Sequence, residues 1–125
     1  MMYRSILSLL VVAPLLSACG ASLPPPTQRL AEAQSAERSA RELGANSAPD
    51  AQLSLKLADE QIALAQKAMS NGDNQRADSL LIRARADAEL AVVLAREKGA
   101  NAAVQVAVDK ANTQRATNID QGAVK

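Results

Sequence analysis

The chain has no His, no Trp and no Phe, and its single Tyr is Tyr3. Past residue 3 there is therefore no aromatic side chain. Base stacking needs aromatic faces or an Arg-rich groove, and sugar recognition often uses aromatic faces. A Ser-His-Asp or Cys-His nucleophile needs a His. The one Cys, Cys19, excludes disulfides within a single chain. The five Gly residues are isolated, so no loop is built to cradle a phosphate. Basic and acidic residues number 14 and 13, which leaves no electrostatic pull towards nucleic acid. These absences point to a protein that is not an enzyme, binds no metal, takes no small-molecule substrate and binds no nucleic acid.

The beginning of the chain is patterned. Arg4 and the amino terminus precede an apolar run of about eleven residues, Ile6 to Leu16. Such a run is too short to cross a bilayer core of ~30 Å as a helix, and it fits the central region of a signal peptide. Leu16-Ser17-Ala18-Cys19 follows. It resembles the lipobox of bacterial lipoproteins: an aliphatic residue, two small residues that let a peptidase reach the backbone, then the acylated Cys. The resemblance implies that residues 1–18 are a signal peptide and that Cys19 becomes a lipid-bearing first residue. No other cofactor is expected. Each buried CH₂ contributes about 0.8 kcal/mol, and two or more chains hold a protein stably on a bilayer. Gly20 stands where an Asp in Gram-negative lipoproteins of this kind usually marks inner-membrane retention. It is permissive for the outer membrane, with the rest of the protein in the periplasm. Residues 19–26 end in Pro24-Pro25-Pro26. They predict an extended tether that lifts the domain about 10–20 Å.

Residues 27–113 read as one all-α domain. After Cys19 there are 25 Ala against 20 Leu, Ile and Val, so the core is thin and help from a partner or a second copy is expected. A first, shorter helix is predicted from Gln28 to Leu43, with Thr27 as N-cap, Gly44 as stop, and a stripe of Leu30, Ala33, Ala36, Ala40 and Leu43. A second helix is predicted from about Pro49 to Ser70. Its seam is Ala51, Leu55, Ala58, Ile62, Ala65 and Met69, widened by Leu53, Leu57 and Leu64. Asn71-Gly72 ends it and Asp73 starts a third helix near Asn74. The third helix repeats the spacing with Ala77, Leu81, Ala84, Ala88, Ala91 and Ala95. Matching seams across a short turn predict an antiparallel helical hairpin with closely spaced backbones. Leu80, Leu90 and Leu94 form a second stripe suited to the first helix.

The end is less determined. The sequence predicts one long helix to about Thr113, weakened at Gly99; the alternative is that Gly99 lets the last segment fold back onto the bundle. Residues 104–108 also alternate with a strand-like period, without a second strand to pair with. Residues 114–125 are polar and predicted to be disordered. A long third helix outruns the other two near Glu97. Val104, Ala107, Val108 and Ala111 would then form an uncovered stripe for a partner helix or for self-association. The neighbouring carboxylates Asp59-Glu60 and Asp87/Glu89 read as a solvated face, paired with Lys56 (to Glu60) and Arg83 (to Asp87). Asn71-Gly72-Asp73-Asn74 lacks the later ligands of a calcium loop and reads as a turn and cap.

Ala48-Pro49, Leu53 to Met69, Asn71-Gly72-Asp73 and the run from Arg76-Ala77 to Ala84-Arg85-Ala86-Asp87-Ala88-Glu89-Leu90-Ala91 together resemble domain-of-unknown-function family 4398, found in small envelope lipoproteins. The resemblance covers roughly residues 27–112. It implies an outer-membrane lipoprotein, acting as a structural or adaptor protein of the envelope through helix-helix contacts. The Gly-Asp turn followed by Arg76-Ala77 and Leu80-Leu81 also resembles a single tetratricopeptide unit, which implies the alternative of a protein-binding subunit in an envelope assembly complex. One such unit has no neighbour to stack on.

Overall fold

The structure is a computed structural model that describes residues 23–123. Three helices follow one another: α1 (Thr27–Glu42), α2 (Pro49–Ser70) and α3 (Asn74–Ala123), with a single 3₁₀ turn at Ala45–Ser47 between the first two. The architecture is all-α: an antiparallel hairpin of α2 and α3, a shorter N-terminal helix against it, and a long last helix.

Each boundary has a local cause. The proline run cannot continue inside a helix, but its last carbonyl can begin one: Leu30 N–H donates to Pro26 O at 3.1 Å. The cap is therefore Pro26, with no side-chain bond, and Thr27 is the first helical residue. The assignment of Thr27 as N-cap is corrected. At the other end Gly44 takes φ 85°, and Ala48 hands over to Pro49 at the first position of α2. The α2–α3 turn is a Schellman motif. Asp73 N–H reaches back to Ala68 O at 2.9 Å and Gly72 N–H to Met69 O at 3.0 Å, with Gly72 at φ 76°. Asp73 then caps α3, its Oδ1 accepting from the Arg76 N–H at 3.2 Å.

The two seams meet as their spacing requires. Every seam residue of α3 from Ala77 to Ala95 is buried, and all those of α2 are buried except half-buried Met69. The Ala side chains bury little area each, yet their small size lets the two backbones come close. The core divides into two clusters. One gathers Ala33, Ile62, Leu80 and Leu81 near the α2–α3 turn; the other gathers Ala40, Ala45, Leu55, Ala91 and Ala95 at the opposite end. Ala45 and Ala48 of the connecting turn close that far end, where Lys98 Nζ donates to Ser47 O at 2.5 Å.

Some expectations are overturned. Leu53, Leu57 and Leu64 do not widen the core; they are exposed. The first helix packs mainly on α3, so the outer flank of α2 has no cover. Leu90 is likewise exposed instead of facing α1, whereas Leu80 is buried and Leu94 half-buried. The third helix does not stop at Thr113. It passes through Gly99, spans residues 104–108 without strand, and continues to Ala123. Residues 114–123 carry no Pro, and nothing in them interrupts the hydrogen-bond ladder.

Candidate functional site: an uncovered face of the last helix

The third helix has 50 residues and α2 has 22, so at 1.5 Å per residue they span ~75 Å and ~33 Å. The difference is an overhang. From Arg96 to Asp120 every residue is exposed. Val104, Ala107, Val108 and Ala111 lie on one side of it, as their spacing requires, and Val104 is 62% exposed.

The apolar side of the overhang begins well before Val104. Ala86, Leu90 and Val93 lie on the same side of α3, within the bundled half, and all three are exposed. Ala86, Leu90, Val93, Glu97, Ala100, Val104, Ala107 and Ala111 recur at spacings of 4 and 3 in alternation. They lie opposite the buried seam, because a helix turns through 3.6 residues. The signal was present in the sequence, but the buried seam claimed the pattern of residues 77–95 and Leu90 was assigned inward. Glu97 is the one charge in this stripe.

Several charged side chains bridge the helices, and others pair along a single helix, as Arg85 does with Glu89 at 2.7 Å. Arg29 pairs with Asp78 at 2.5 Å and Arg85 with Glu32 at 2.9 Å, joining α1 to α3. Arg41 pairs with Asp59 at 2.5 Å, joining α1 to α2. Gln61 Nε2 donates to Asp87 Oδ2 at 2.5 Å, joining α2 to α3. Asp87 therefore does not pair with Arg83, whose Nε donates to Ser79 O at 3.4 Å. The Lys56–Glu60 pair forms at 3.8 Å. Arg41 is held charged beyond its ordinary range by its hydrogen bond to Glu37 and then by Asp59; Arg85 is held so by Glu89 and, more weakly, Glu32. Among the described residues there is no group of His, Cys, Asp and Glu suited to a metal. No helix among them is long and apolar enough to cross a membrane.

Leu16, Ser17, Ala18, Cys19 and Gly20 lie outside the described residues. The chain re-enters at Leu23, whose carbonyl accepts from Asn74 Nδ2 at 2.6 Å. The tether thus joins the bundle beside the α2–α3 turn, at the end remote from the overhang.

An antiparallel helical hairpin with a shorter first helix and an overhanging third is what these residues build. The family model described as a domain of unknown function (DUF4398) matches residues 28–107, and the chain belongs to that family. The match takes in the whole bundle and the first part of the overhang. No curated protein and no solved structure matches the chain.

Proposed function

We propose that this protein is a non-enzymatic lipoprotein of the outer membrane, anchored through lipid on Cys19, which presents its helical domain in the periplasm as a structural or adaptor element. The observation that carries the reading is the overhang. About half of α3 forms helix without contributing to the core, and it keeps an apolar stripe in water. Monomeric proteins rarely leave a long apolar stripe bare unless something docks there. The tether supports the same reading, since Leu23 is held at Asn74 and the overhang starts at the far end of the bundle. The anchor itself rests on Leu16-Ser17-Ala18-Cys19 and the apolar run before it. Gly20 is permissive for transfer to the outer membrane.

The test is fractionation. Cys19→Ser, or treatment with the lipoprotein signal-peptidase inhibitor globomycin, should accumulate precursor and remove the protein from the outer membrane. Metabolic labelling with palmitate should mark the wild-type chain and not the variant. A Cys19→Ser protein that fractionates with the outer membrane as efficiently as wild type contradicts the lipoprotein reading.

A further inference from the structure

We infer that the uncovered face of α3 pairs with a second copy of this chain, the two helices lying antiparallel and fully overlapped. The inference deepens the helix-contact reading above and rests on it only in treating that face as a contact surface.

The overhang does not extend the protein's own bundle. Carried past Ala95, the buried seam would run through Lys98, Ala102, Gln105, Asp109 and Asn112, polar at four of its five positions. Val106 keeps to that side, but the alternating apolar repeat runs on the opposite one, where Leu90, Val93 and Val104 are 48%, 57% and 62% exposed. An alternating 4-and-3 repeat of this length is the pattern of a helix-helix seam.

Charge and volume select the orientation. In a parallel pair Glu97 would face Glu97 of the second copy, and Lys110 would approach its Arg115. In an antiparallel pair Val93 meets Val104 of the second copy, Leu90 meets Ala107, Ala86 meets Ala111 and Glu97 meets Ala100. The largest side chains then lie against small or equal ones, as interdigitation requires. Glu89 comes beside Lys110 of the second copy, and symmetry repeats this pair. Sliding by one repeat in either direction replaces it by Arg96 against Lys110 or by Arg96 against Arg96. The outer layers are polar, with Gln114 against Arg83 and Asn118 against Ser79, and Arg115 nears Arg83 there in open solvent.

The register chosen by these contacts lets the two helices overlap along their whole described length. Each overhang then covers the open face of the other copy's bundled half. The strip is ~75 Å long and about one helix diameter, ~10 Å, wide. It amounts to roughly 750 Å² per copy and roughly 1,500 Å² in total, within the ~1,200–2,000 Å² of stable specific interfaces. The two Leu23 ends lie about 75 Å apart, so a pair anchored in one membrane lies along its surface.

Disulfide mapping on the full-length chain in mild detergent tests this, with the parent chain, which keeps Cys19, as control. A mixture of Val93→Cys and Val104→Cys should cross-link, and neither variant alone should exceed the control. Glu89→Lys should weaken pairing roughly tenfold in sedimentation, and Glu89→Lys with Lys110→Glu should restore it. Cross-links within each single variant mean a parallel pair and overturn the register. A chain that sediments as a monomer and cross-links to no second copy overturns the inference, and capture of a different envelope protein at the same positions would leave the adaptor reading intact. Loss of membrane attachment by the wild-type chain would instead overturn the lipoprotein reading and leave the pairing result standing.

Discussion

Asn74 Nδ2 donates to the carbonyl of Leu23 at 2.6 Å, across 51 positions of sequence. This bond gives the molecule a polarity, with the tether at the head of α3 and the overhang at its tail. Asn74→Ala should cost about 0.5–1.5 kcal/mol, the usual net value of such a bond. It should raise protease cleavage at residues 23–26 while leaving the melt of the bundle cooperative. Unchanged cleavage would show that the prolines alone hold the segment.

The Ala seam sets a second expectation. Ala88 is wholly buried and Ala86 is exposed. Ala88→Leu should overpack the α2–α3 contact and cost typically 1–3 kcal/mol, whereas Ala86→Leu should stay within about 0.5 kcal/mol. Thermal melts at a concentration where the chain is monomeric compare the two, and equal melting temperatures would contradict the register.

The glycines divide by conformation. Gly72 sits at φ 76°, which an L side chain adopts with strain, while Gly99 is helical with open space where a Cβ would stand. Gly72→Ala should destabilise the bundle by about 1 kcal/mol. Gly99→Ala should raise the helical signal of the overhang, since Ala is favoured over Gly by about 1 kcal/mol inside a helix. Circular dichroism reads both, and a loss of helicity in Gly99→Ala would show that Gly99 serves as a needed bend.

Stability should be flat between about pH 6 and pH 9. The chain has no His. The shifted groups, Arg41 and Arg85, are raised by hydrogen bonds to Glu37 and Glu89 respectively. A raised pKa contributes stability that is present below the unfolded value and lost only on rising through the folded one, far above this window. A melting temperature that steps with pH near neutrality would require a titrating group outside these pairs.

Much of the fold was legible because Ala and Leu at alternating spacings of 4 and 3 can bury one helix face only. The two seams, the Gly72 turn, the Asp73 cap and the α2 bounds follow from that and from turn chemistry. Leu53, Leu57, Leu64 and Leu90 were misread because spacing says which residues share a face, and not whether another helix covers it. The end of α3 was misread because polar residues such as Thr113, Gln114 and Asn118 lower helix propensity without forbidding helix. In the candidate site, Val104 to Ala111 were legible as an unpartnered stripe. Its continuation through Val93 and Leu90 emerged only once their exposure was known.

Residues 99–120 stand exposed, outside the core of the bundle. The thermal melt of a chain ending at Lys98, at a concentration where the full chain is monomeric, tests this most directly. The expected result is a cooperative melt within about 4 °C of the full chain, corresponding to less than ~1 kcal/mol for a domain of this size, with helical signal lost only in proportion to the residues removed. A non-cooperative melt, or a fall well beyond ~8 °C, would place the overhang in the core and contradict the account.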